Sequence, residues 1–220
     1  MNTHSLLAAI SAVICGSVFL FGYWSIRLLY PDFWSDISVR VYVVQTHSML
    51  IQMWYFVVWI LFGAALLVFN YGVLRTARHR HGVVEGIITL ASFVSACYLF
   101  SIGLIEILSA QSLLSTGYWL GEDPNASYQA LYILLTRIRG SIEFSSDIWF
   151  LLINLWLLAH RQLSHWLPIL GVATTLFGFL LLTPTFAPYA VVYVCAKGGW
   201  YFVMAGWLLG KSQRVIASPN

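Results

Sequence analysis

The chain has 220 residues, 60% of them hydrophobic and only 9% charged, with a formal net charge of +3 and a mean hydropathy of +0.81. A water-soluble chain of this length needs far more polar surface to cover itself, so a soluble globular domain is excluded. The positive charge is spread over connecting segments rather than gathered into a patch, which excludes a nucleic-acid-binding footprint. What remains is an all-α, polytopic transmembrane helical bundle, a single integral membrane domain over residues 1–220.

Six apolar runs reach the roughly 20 residues that a spanning helix needs. They cover 6–30, 42–72, 83–113, 128–160, 166–184 and 187–210. The first lacks the basic leader and small-residue cleavage site of a signal peptide, so it reads as a span. The second, third and fourth are long enough to tilt or to project beyond the hydrocarbon. "STGYWLGEDPNAS" (Ser115 to Ser127) is the longest polar loop, and "TPTFAP" (Thr183 to Pro188) turns the last two spans into a hairpin. Ten Trp and twelve Tyr suit interfacial aromatic belts.

Lys and Arg residues set the expected orientation. Arg75, Arg78, Arg80, Arg161, Lys211 and Arg214 fall on one side, against Arg27 and Arg40 in the first loop of the other. Both termini are therefore expected in the cytoplasm, with Glu122 and Asp123 facing outward. In a bacterium the host bilayer would be the inner membrane.

The charges left inside the spans carry the functional expectation. An unpaired ion in the hydrocarbon costs at least a few kcal/mol, so such groups should face the bundle and pair. Asp147 lies thirteen residues before His160, and Lys197 thirteen before Gly210. Each is then roughly 20 Å from the cytoplasmic face, which predicts an Asp147–Lys197 ion pair near mid-membrane. Arg139, Glu143 and Asp147 follow i, i+4, i+8 spacing and form one stripe. Counted outward, Glu106 comes close to the depth of Arg139, with Gln52 and His47 near the outer surface. These residues predict a polar funnel opening outward and ending at Lys197, a site for a small or lipidic ligand or for protons or ions. The plainer alternative is an interhelical salt-bridge network that only fixes packing.

No two histidines share a buried helix face at ligand spacing, which argues against a metal site or heme. Cys15, Cys97 and Cys195 stand singly in apolar runs and are expected to be buried, inert thiols. No phosphate loop, HExxH or GxSxG motif is present. An intramembrane acid–base enzyme using Glu143 or Asp147 ranks last, because no nucleophile–base signature accompanies them. The second class, ahead of the enzyme, is an accessory subunit packing within a larger membrane complex, suggested by the long, aromatic-rich spans.

"LLVFNYGVLRTARHRHGVVEGIITLASFVSACYLFSIGLIEIL" and "DIWFLLINLWLLAHRQLSHWLPILGVATTLFGFLLL" each read as a span, a basic turn and a second span. Together they resemble the bacterial multi-pass proteins grouped as domain of unknown function 4386. That resemblance implies a helical membrane fold in a bacterial inner membrane, and no activity. "VCAKGGWYFVMAGWLL" in turn resembles the last helix of microbial rhodopsins, which would make Lys197 a retinal-binding lysine and Asp147 its counterion. Six spans rather than seven, Tyr193 where an Asp is usual, and the lack of an Arg-Tyr-x-Asp-Trp helix argue against retinal.

Overall fold

The computed structural model describes residues 3–76, 82–114, 124–161 and 163–217, with side chains at 124–125, 136–145, 184, 187 and 211–217 outside the description. Among the described residues every regular element is helical: α1 (Thr3–Leu29), α2 (Ile37–Thr46), α3 (Ser48–Tyr55), α4 (Phe62–Thr76), α5 (Val83–Leu114), α6 (Pro124–Ala159), α7 (Trp166–Leu180) and α8 (Ala190–Ala217). A π-helical turn over Phe56–Leu61 joins α3 and α4 into one rod. Among the described residues four helices are long and apolar enough to cross a membrane: Thr3–Leu29, Ser48–Thr76, Val83–Leu114 and Ala190–Gly210. The described apolar stretches of α6 are Ala126–Leu135 and Ser146–Ala159, and α7 is a shorter apolar helix, Trp166–Leu180.

Local chemistry explains the breaks. Pro31 cannot continue α1 and instead opens the 3-10 turn Pro31–Trp34. Asp36 then caps α2, accepting hydrogen bonds from the Ser38 hydroxyl at 2.6 Å and the Ser38 N–H at 2.8 Å. These bonds hold the Asp36 carboxyl below its ordinary range. The cap's contribution is therefore present at neutral pH and fades as pH falls through that lowered value. At the far end of α6 the chain reverses through Arg161 in the left-handed region, φ 48°. Pro184 and Pro188 keep the connection between α7 and α8 in a 3-10 turn, Pro184–Tyr189.

The expected second span, 42–72, is corrected here. Its first residues belong to α2, which ends at Thr46, and the rod begins afresh at Ser48 after the non-helical His47. Arg40, expected in a loop, is on α2 with its side chain fully buried.

The long helices close a ring in chain order: α1 packs on α4, α4 on α5, α5 on α6, α6 on α7, α7 on α8, and α8 back on α1. Small residues bring α1 close to both of its neighbours. Ser5, Ala8, Ala9, Ala12, Cys15 and Gly16 are all buried on it. Ser5 also donates to the Leu208 carbonyl on α8 at 2.6 Å. Inside the ring, Phe69, Trp149, Phe150, Trp200 and Tyr201 form an aromatic core, with Phe150 edge-on to Trp200 at 4.6 Å. Many outer positions are large and apolar, including Leu28, Leu90 and Met49, a surface suited to lipid rather than water.

A Cβ on Gly72 would lie 2.5 Å from the Cβ of Ala8, so α1 and α4 must separate to admit one. Gly72→Ala is expected to lower stability by about 1–3 kcal/mol through overpacking, read as an earlier thermal transition of the purified protein in detergent.

Candidate functional site

Ser146 and Asp147 on α6 face Tyr193 and Lys197 on α8, the latter two one helical turn apart. The expected ion pair is present: Lys197 Nζ lies 2.6 Å from Asp147 Oδ1, and each side chain is only 1% exposed. Lys197 also donates to the Tyr193 hydroxyl at 2.6 Å and the Ser146 hydroxyl at 3.2 Å. Tyr193 in turn donates to Asp147 Oδ1 at 2.6 Å. All three ammonium hydrogens thus have acceptors, which is what a buried lysine requires. The rings of Phe19, Phe150 and Tyr193 surround the ammonium at 5.0–5.3 Å. Gly178 on α7 leaves room for the carboxylate, since a Cβ there would overlap Asp147 Oδ2.

A second buried pair sits on different elements. Arg40 Nη2 lies 2.6 Å from Glu106 Oε2, with the side chains 0% and 1% exposed. Arg40 also donates to Tyr55 at 2.8 Å and Tyr128 at 3.0 Å. The rings of Phe33, Trp34 and Tyr132 pack on its guanidinium at 4.5–5.2 Å. Burial alone would pull the Arg40 pKa down, but the oxygens of Tyr55, Glu106 and Tyr128 outweigh it and hold it above its ordinary value. The charge is therefore permanent.

Between these two pairs lies a cavity of about 410 Å³. Its walls include Phe19 and Tyr23 of α1, Trp54, Val58, Trp59 and Phe62 of the α3–α4 rod, and Val194 of α8. Tyr193 and Ser146, both bonded to Lys197, form its inner end. Trp34 and Tyr132 line it on the side where they also cover Arg40. Arg27 stands at its mouth, the one exposed residue of the lining among the described residues. Size and lining fall in the range of small-molecule sites, which are mostly apolar with a few placed polar groups.

The expected funnel ends at Lys197, whereas the cavity is lined by Tyr193 and Ser146, which bond to Lys197, and its other walls differ from those expected. Glu106 is drawn to Arg40 and does not line the cavity. His47 is exposed at the α2–α3 break beside Tyr30, and Gln52 bonds to Ser48 at 2.8 Å; neither reaches the cavity. Helical spacing measures height along a rod but not which neighbour the rod faces, and that is why they were misplaced. The side chains of Arg139 and Glu143 lie outside the described residues. Cys15 is buried as expected, whereas Cys97 and Cys195 are exposed on the apolar outer surface. Tyr193, Arg27 and the tryptophans were missed as site residues. Tyr193 carried a usable signal, its position four residues before Lys197.

No grouping of His, Cys, Asp and Glu suited to a metal occurs among the described residues. Comparison with protein-family models, curated proteins and solved structures finds no match.

Lys197→Met and Asp147→Asn should each cost about 3–5 kcal/mol, because each leaves its partner buried without a counter-charge. The double variant should lose less than the two losses added. Thermal unfolding in detergent, followed by tryptophan fluorescence, measures all three.

Proposed function

We propose that this chain crosses a bacterial inner membrane six times, both termini in the cytoplasm, and binds a small or lipidic ligand in the outward-opening cavity. The single observation that carries this reading is the aromatic-walled cavity of about 410 Å³ ending on the Asp147–Lys197 network. Binding fits the geometry better than chemistry does. Lys197 spends its three hydrogens on Asp147, Tyr193 and Ser146, which leaves it no free hydrogen to offer a reacting group.

The ring supports six crossings, since its consecutive helices run through α6 and α7 as well as the four long apolar ones. α7 has 15 residues, about 22 Å of helix, and turns over Leu181–Thr183 extend it toward the outer surface. The basic residues near the ends of α4, α6 and α8, among them Arg75, Arg161, Lys211 and Arg214, support cytoplasmic termini. Membership in the 4386 family belongs to the same proposal.

Two measurements test it. A fluorescent-protein fusion after Asn220 should fluoresce, while alkaline phosphatase inserted between residues 115 and 123 should be active; the reverse pattern refutes the orientation. Protein purified in mild detergent should carry a non-protein molecule detectable by native mass spectrometry. Val58→Phe, which fills the cavity from its half-buried wall, should remove that molecule while the protein stays folded. A bound species unaffected by Val58→Phe would place binding elsewhere.

A further inference from the structure

The polar and apolar parts of the cavity are separated along its length. Arg27 is the only exposed lining residue among the described ones, and its guanidinium rests 4.4 Å from the Tyr23 ring. Neither ion pair of described side chains involves it. The two buried pairs are each neutral overall, so among the described side chains the net charge offered to the cavity is that of Arg27. Phe19, eight residues earlier on α1, lies at the inner end against Tyr193, ring centroids 6.0 Å apart. Charge and inner end are then roughly 12 Å apart along the helix. At that inner end the Tyr193 hydroxyl is committed both as donor and as acceptor. What an occupant meets there is mainly ring carbon and the side chains of Phe62, Leu99 and Val194.

We propose that the cavity is selective for a single-chain amphiphile with one anionic group, held at Arg27, its apolar chain running inward toward Phe19 and Tyr193. This rests on the ligand-binding reading above and narrows it to a ligand class. The shared chemistry is an anionic oxygen group facing a guanidinium, whether a carboxylate or a lipid phosphate. Aromatic walls alone would also suit an organic cation, but Arg27 at the mouth repels one.

The test uses the full-length protein in neutral detergent at mildly alkaline pH, with tritiated palmitate and tritiated hexadecanol in a scintillation proximity assay. Palmitate should bind about tenfold more tightly than hexadecanol, the order expected of one charge-assisted contact at a half-open site. Arg27→Gln should lower palmitate to the level of hexadecanol and leave hexadecanol unchanged, whereas Arg27→Lys should keep the preference. Unlabelled lysophosphatidic acid should displace palmitate if phosphate heads are also accepted; palmitate binding it cannot displace identifies the carboxylate as the head recognised. Displacement by inorganic phosphate would overturn the amphiphile. Equal affinity for acid and alcohol, both lost in Val58→Phe, would overturn the role of Arg27 while leaving the cavity a binding site. Absence of any binding sensitive to Val58→Phe would overturn both readings.

Discussion

An ammonium and a carboxylate held together inside an apolar ring are the constraint around which the rest is arranged. Neither Lys197 nor Asp147 is stable alone at 1% exposure, and their attraction offsets desolvation only if the remaining polar valences are met. Tyr193 and Ser146 meet them, and both belong to the same two helices as the ions. The pair therefore ties α6 to α8 across the ring. Gly178 shows how closely α7 fits this arrangement, because a single added carbon would strike the carboxylate. Four helix faces, including Phe19 of α1, converge on one neutral knot.

The Arg40–Glu106 pair solves the same problem differently. Arg40 arrives on the short helix α2 rather than on a long rod, and it joins α2 to α5 and, through Tyr128, to α6. Rings crowd its guanidinium, which suits a planar cation better than it would suit an ammonium. The Lys197 knot is internally satisfied, whereas Arg40 Nη1 is buried with no hydrogen-bond partner among the described residues. The π turn at Phe56–Leu61 contributes Val58 and Trp59 to the cavity between the two pairs, and π turns in otherwise α-helical rods are often found at functional sites.

Much of this was legible before any coordinates. Equal thirteen-residue distances from Asp147 and Lys197 to the ends of their helices were enough to pair them, since rise per residue is constant along a helix. The same arithmetic failed for Glu106. It gave a height shared with Arg139 but could not see Arg40, which loop counting had removed from the interior. Loop boundaries are where apolar periodicity is weakest, and Arg40 sits four residues after the Asp36 cap that starts α2. His47 and Gln52 do not line the cavity at all.

The sequence by itself determined that the chain is an apolar helical bundle with internal charges needing partners, because hydropathy, run length and helical rise are local properties. Only the tertiary structure decided that α8 returns to α1, that Glu106 turns to Arg40, and that eight aromatic side chains from distant segments enclose one cavity. Those outcomes depend on which faces of the rods meet, and small residues such as Gly72 and Gly178 settle that by where they allow close approach. That is a property of pairs of surfaces and is not written in either strand of sequence alone.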